Sequence, residues 1–215
     1  MTVQLPFHLP YAVPKTVDDF FVSACNEEAF SWIQKAVWPF AMVLLIGPEG
    51  CGKTHMAHIF AKTVLKAKDF KEADILLLPQ RAVIEDIDEC RDEQVLFHLF
   101  NYAKESRKQI LLTARAVPPF KLPDLKTRMS TVPVIPIHAP DDMVMMALLC
   151  KAFTDRQVDV DSDVITYLMT HLNRSYQAVH QIVAAVDTYA LSKKRRITIP
   201  LIKEAVAHMQ NEALL

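Results

Sequence analysis

The sequence predicts an α/β fold, a three-layer αβα sandwich around a parallel sheet, followed by a small all-α region. Three observations predict it. Between residues 41 and 137, apolar runs of strand length alternate with segments of helical period, and that alternation gives a parallel sheet covered on both faces. The first apolar run ends in Gly47-Pro-Glu-Gly-Cys-Gly-Lys-Thr54, which holds all three glycines of the chain. Beyond Pro140 nothing alternates like a strand.

The bulk properties bound the reading. A chain of 215 residues suits one domain, or one domain with a small appendage. Its 51% hydrophobic and 23% charged residues are those of an ordinary globular protein. A net charge of -1 offers no bulk attraction to DNA or to an acidic membrane. The longest apolar stretch, around residues 40–46, falls far short of the roughly 18 residues a membrane span needs. No Lys or Arg precedes Lys15 and no apolar signal core follows, so a secretory signal is not expected. Cys25, Cys51, Cys90 and Cys150 form no CxxC pair and read as reduced thiols, outside any disulfide frame or zinc site. The eight histidines lack metal-ligand spacing. A cytoplasmic location is expected.

Residues 1–14, with Pro6, Pro10 and Pro14, are expected to be an extended tail. Residues 41–46 form a continuous apolar run that reads as a buried strand. A helix is expected over 53–65. Residues 74–79 fit either a short strand or one helical turn. The interval is brief for a crossover, so the sheet is expected to be trimmed there. Residues 82–86 form a second buried strand that ends in acids. A helix over 91–105 carries Val95, Leu96, Leu99, Phe100 and Ala103 on one face. A third strand covers 109–113, and a loop rich in Pro and Arg leads to a fourth over 132–137.

In the all-α part, Asp141 is expected to cap a helix rich in Met and Leu. Ser162 caps another, with Val164, Ile165, Leu168 and Leu172 on one face. A third buries Val179, Ile182, Val183, Val186 and Ala190 and ends at Lys193-Lys-Arg-Arg196. Thr198 caps the last, with Pro200 in its first turn. The basic run at 193–196 is explained by the helix dipole rather than by a nucleic-acid patch.

A strand, then G-x-x-x-x-G-K-T, then a helix is the signature of a phosphate-binding loop. Glycines let backbone N–H groups converge on phosphate oxygens, and the helix points its positive end at them. Lys53 is expected to reach the β- and γ-phosphates and Thr54 a magnesium ion. In Val83-Ile84-Glu85-Asp86-Ile87-Asp88, the acid pair closes an apolar strand. A carboxylate there, Glu85, holds magnesium, and its neighbour Asp86 orients an attacking water. Glu85 stands where aspartate is usual and shifts the carboxylate by about one methylene. Arg128, shortly before the fourth strand, is a guanidinium placed to reach the nucleotide of a neighbouring molecule.

Together these elements resemble the AAA+ domain of the bacterial replication initiator DnaA. More closely, they resemble the Hda family of DnaA-related regulators, in the form found in alphaproteobacteria. Thr16-Val-Asp-Asp-Phe-Phe-Val22 and Asn26 are similar to the family's leading segment. The resemblance implies that Phe20, Phe21, Val22 and Asn26 lie against the adenine of bound ADP or ATP. It also implies that Gly47, Pro48, Glu49, Gly50, Cys51, Gly52, Lys53, Thr54 and His55 hold the phosphates, with Mg2+ on Thr54 and Glu85. Leu122-Pro-Asp-Leu-Lys-Thr-Arg128 resembles the arginine-finger segment. Asp155-Arg-Gln-Val-Asp-Val-Asp161, Asn173-Arg-Ser-Tyr176 and Ile197-Thr-Ile-Pro-Leu201 resemble lid segments. The implied division is a tail over 1–14, an AAA+ nucleotide-binding domain over 15–139 and a lid over 140–215.

The same resemblance makes Gln4, Leu5 and Phe7 a candidate motif for docking on the replicative sliding clamp, with Phe7 one residue earlier than usual. Two departures bear on catalysis. Thr113-Ala-Arg115 occupies the stretch where DnaA relatives carry a nucleotide-sensing aspartate. Gln177 replaces the lid arginine, with Arg174 one turn earlier as its substitute. The expected function is therefore a nucleotide-bound regulator, with weak or no ATPase activity of its own. With the DNA-loaded clamp it would offer Arg128 to ATP on DnaA and so prevent re-initiation. No sequence-specific DNA binding or membrane binding is expected, and a homo-oligomer is left open. The rivals are an autonomous AAA+ ATPase of the DnaA or helicase-loader type, a small-metabolite kinase and a structural adaptor.

Overall fold

The computed structural model describes residues 16–212, with side chains described as far as His208. The tail and its candidate clamp motif, Gln4, Leu5 and Phe7, lie outside the described residues. The sheet has five parallel strands: β1 (Met42–Ile46), β2 (Val64–Lys66), β3 (Arg81–Glu85), β4 (Gln109–Ala114) and β5 (Val134–Pro136). Their spatial order is β2-β3-β4-β1-β5.

Both faces of the sheet are buried, which is why its central strands are unbroken apolar runs rather than alternating ones. Leu44, Ile84, Ile110 and Leu112 point to one side. There they meet Leu96 and Leu99 of α4 (Glu93–Glu105) and Leu125 of α5 (Pro123–Met129). Val43, Leu45, Val83 and Leu111 point to the other. They meet Ile33 of α1 (Glu27–Gln34) and Met56, Ala57 and Phe60 of α2 (Lys53–Phe60). Each of the Val, Leu, Ile, Met and Phe side chains among them contributes about 1.5–3 kcal/mol by leaving water.

The helical region follows as α6 (Asp142–Thr154), α7 (Ser162–His171), α8 (Tyr176–Lys193) and α9 (Ile199–Glu212). It has its own core around Leu149, Phe153, Leu168, Val183, Leu201 and Ile202. No helix among the described residues is long and apolar enough to cross a membrane.

Several expectations need correction. The helix after the glycine loop ends at Phe60, not 65, because Ala61 turns extended at φ -149°. Residues 64–66 are then free to form β2, so the sheet gains an edge strand where trimming was expected. Only three residues long and not fully buried, β2 has no periodic signature. Its ladder to β3 makes it a strand. The ambiguous stretch beginning at Asp74 ends the single helical turn α3 (Glu72–Ile75), leaving Leu76 and Leu77 largely exposed. The helix expected from 91 starts at Glu93, because the Asp92 carboxylate accepts from the Gln94 N–H. Ser162 is the first residue of α7 rather than its cap, which is Asp161. Arg128 stands in the last turn of α5 rather than in a loop.

Candidate nucleotide-binding site

The glycine loop leaves the carboxyl end of β1, flanked in the sheet by β4 and β5. In open parallel sheets this edge is where ligands sit. Gly52 has φ +94° and Gly50 φ +79°, conformations that side chains rarely adopt. The space over them is also taken. A Cβ on Gly52 would lie 2.9 Å from Cε2 of Phe20, and one on Gly50 would lie 3.2 Å from Cβ of Tyr176. The glycines therefore allow both the leading segment and the helical region to close directly on the loop.

Lys53 opens α2 and is buried. Its ammonium donates to the carbonyls of Gly47 (2.7 Å) and Pro48 (2.9 Å), drawing the loop into a ring. Burial pushes the Cys51 thiol up, although Lys53 beside it pulls the other way.

A cavity of about 810 Å3 opens over the loop, between the sheet and the helical region, within the size range of small-ligand sites. Its wall has two characters. Phe20, Phe21, Val144, Leu148 and Tyr176 supply apolar and aromatic surface. The loop from Glu49 to His55, with Asp86, Glu89 and Arg115, supplies polar groups. Phe20 is fixed by stacking on Phe30 (5.5 Å) and by an edge contact with His55 (5.2 Å). Asn26 is buried. It donates to the Phe21 carbonyl (3.0 Å) and accepts from the Ser23 N–H (2.9 Å), shaping the leading segment.

Polar contacts tie the helical region to this wall. The Ser23 hydroxyl donates to the Asp141 carboxylate, which also accepts from the Val144 N–H (2.9 Å). Those bonds hold the Asp141 carboxyl below the usual range. The Tyr176 hydroxyl donates to the His138 carbonyl (3.2 Å), and burial pushes its phenol far above the ordinary value, so it stays protonated.

The acid pair lies at the end of β3. Glu85 is buried, with Oε2 3.1 Å from the Lys66 ammonium and Oε1 buried without a hydrogen-bond partner. Asp86 adopts φ +57°. Its N–H donates to Thr113 Oγ1 (3.1 Å) and its carboxylate accepts from Lys66 (2.7 Å). Arg115 donates from Nε to Asp88 (2.7 Å) and faces the cavity.

Phe20, Phe21, Asn26, Glu49, Gly50, Cys51, Gly52, Lys53, Thr54, His55 and Asp86 thus line one cavity, whereas Val22, Gly47, Pro48 and Glu85 stand behind or beside it. The expected pair Arg174 and Gln177 does not face it. Arg174 bridges to Asp142 at 2.8 Å on the surface, and Gln177 is exposed. Ser175 caps α8, and the register from there turns Tyr176 and His180, four residues apart, toward the loop instead. Sequence reasoning missed Tyr176 and His180, and it missed the α6 stripe of Val144, Ala147, Leu148 and Lys151. The i, i+3, i+4, i+7 spacing of that stripe was the available signal.

The donor set fits a nucleotide with magnesium. The apolar wall suits a base, and the loop and the α2 N-terminus suit phosphates. Among the described residues no three His, Cys, Asp or Glu side chains form a metal cage. Thr54, which lines the cavity, and Glu85 beside it, whose Oε1 is unpaired, are the side chains that would hold magnesium, oxygen donors ordinary for this ion.

Fold and site define a AAA+ architecture, a five-stranded parallel core with a glycine loop and a helical lid. Within that architecture, residues 141–206 of the helical region match the family model described as Hda, lid domain. Domain III of the Thermotoga maritima replication initiation protein DnaA superposes with a TM-score of 0.74 at 16% identity, covering 94% of this chain and 98% of that one. AMPPCP-bound DnaA from Aquifex aeolicus gives 0.62 at 16% identity, over 87% and 68%. The Thermotoga maritima RuvB Holliday junction branch migration motor gives 0.69 at 17%, over 90% and 72%. In sequence, the chain is 26% identical over 181 residues to an uncharacterized protein of Haemophilus influenzae, covering 74% of this chain and 78% of that protein.

Proposed function

We propose that this chain is a nucleotide-holding regulator of chromosomal replication initiation that makes DnaA hydrolyse its own ATP. One observation carries the reading: the Hda-type lid closes over a phosphate-loop cavity that Arg128 does not line. Arg128 is instead braced at the domain surface. Its guanidinium lies 4.9 Å from the ring centre of Phe97 and 5.6 Å from that of Phe100. Glu93 at the start of α4 accepts from the N–H groups of Lys121 and Leu122 and so pins the approach to α5. A rigid arginine turned away from its own nucleotide site is suited to another molecule's γ-phosphate.

In this reading ADP or ATP with Mg2+ sits over residues 47–54 and fixes the lid against the core. The protein docks on the DNA-loaded sliding clamp through Gln4, Leu5 and Phe7. Arg128 then stabilises charge developing on ATP held by DnaA. Lys66 ties up both acids and Arg115 is bound to Asp88, so the chain's own turnover is slow.

The test is ATP hydrolysis by DnaA with and without DNA-loaded clamp. The full chain should stimulate it, and Arg128→Ala should lose stimulation by roughly 10³-fold while binding nucleotide normally. A chain lacking residues 1–9 should lose the clamp-dependent part. Retained stimulation by Arg128→Ala would falsify the assigned role. Rapid hydrolysis by the purified chain alone would instead favour an autonomous AAA+ ATPase.

A further inference from the structure

Lys66 stands on the edge strand β2 in register with Glu85 on β3. Its ammonium lies 3.1 Å from Glu85 Oε2 and 2.7 Å from Asp86 Oδ2, so one residue bridges both acids. The direction of approach follows from the strand order. β4 separates β3 from β1 and the glycine loop, whereas β2 lies on the far side of β3. Lys66 therefore holds one oxygen of each acid from the sheet edge, the side of β3 opposite the phosphate loop, while Asp86 still lines the cavity. The Asp86 backbone is fixed as well, by φ +57° and by its N–H donating to Thr113. The other oxygen of Glu85, Oε1, is buried without a hydrogen-bond partner. The three groups carry one net negative charge instead of the two an acid pair would present.

We propose that Lys66 is a resident cation of the acid pair: by occupying one oxygen of each acid it weakens the pair's hold on magnesium, so bound nucleotide is kept with little dependence on the metal. The inference rests on the nucleotide-holding part of the proposed function. Lys66 acts through Glu85 and Asp86 and is a positioning residue. A divalent ion competing with a covalently tethered ammonium for the same oxygens gains less than one meeting two free carboxylates.

The experiment is the affinity of the full chain for a fluorescent ADP, in EDTA and in excess magnesium, with Lys66→Met, Lys66→Gln and Lys66→Arg beside the wild type. Wild type and Lys66→Arg should change by less than about threefold on adding magnesium, whereas Lys66→Met and Lys66→Gln should tighten by about tenfold or more. Thermal unfolding of each chain identifies folded variants, and Lys66→Gln, which keeps a hydrogen-bond donor, serves should Lys66→Met fail to fold. Nucleotide bound with equal magnesium dependence in all four chains overturns the inference alone. So does a tenfold magnesium effect already present in the wild type. No ADP binding by folded wild type removes the nucleotide-holding reading itself, and the inference with it.

Discussion

His180 of the lid helix α8 faces Gly50 of the glycine loop so closely that a Cβ on the glycine would lie 3.3 Å from the imidazole Cδ2. The lid thus rests on the segment that would carry the phosphates, and a change in either should be felt by the other. Gly50→Ala would place a side chain at φ +79° and press it on Tyr176 and His180. It should cost about 1–3 kcal/mol of stability and weaken nucleotide binding. Urea unfolding and ADP titration check the two effects. His180→Ala should lower ADP affinity with little change in stability, because His180 is exposed yet lines the cavity.

Tyr176→Phe tests the second link between lid and core. The variant keeps the ring against the loop and loses the hydroxyl's hydrogen bonds with the His138 carbonyl and the Cys25 thiol. A loss of about 0.5–1.5 kcal/mol is expected in chemical denaturation.

Arg128→Lys separates charge from shape. The ammonium retains the charge but cannot spread over the Phe97 and Phe100 rings as the planar guanidinium does. Stimulation of DnaA should fall by at least about tenfold with Tm almost unchanged. Full stimulation by the lysine variant would mean that position and charge alone suffice.

Asp141 should give the acid limb of stability a specific component. Its carboxyl titrates below the ordinary value because Ser23 and the Val144 N–H bind the charged form. That stabilisation is complete above the ordinary carboxylate value of about 4 and is lost as pH falls through the lower value of the folded state. Asp141→Asn should therefore flatten the acid side of a plot of unfolding midpoint against pH and leave its alkaline side unchanged.

Leu149→Ala removes a fully buried side chain from the lid core. It should cost about 2–5 kcal/mol. If lid and sheet unfold as separate units, calorimetry should show a second, lower transition in this variant.

Much of this architecture was legible in the sequence. The runs over 41–46, 82–86 and 109–113 read as strands because a sheet buried on both faces needs apolar side chains at every position. The glycine loop was legible because the chain confines its three glycines to one segment. The strand β2 was not, because Val64–Lys66 is short and not fully buried and owes its conformation to the ladder with β3. The cavity's lid wall was missed for a different reason. Arg174 and Gln177 carry suitable chemistry, but the capping of α8 by Ser175 sets a rotation that turns Tyr176 and His180 inward.

By itself the sequence determined the fold class, the glycine loop with Lys53 and Thr54, and the acid pair Glu85 and Asp86 at a strand end. Each is written in residue type and local spacing. The tertiary structure decided which cation meets those acids, Lys66 from a strand nineteen residues away in the chain, and which face of α8 closes on Gly50. It also decided that Arg128 is braced by Phe97 and Phe100 outside its own cavity. Such relations depend on strand order and helix rotation, which are set by burial across the whole core and leave no mark in any one segment.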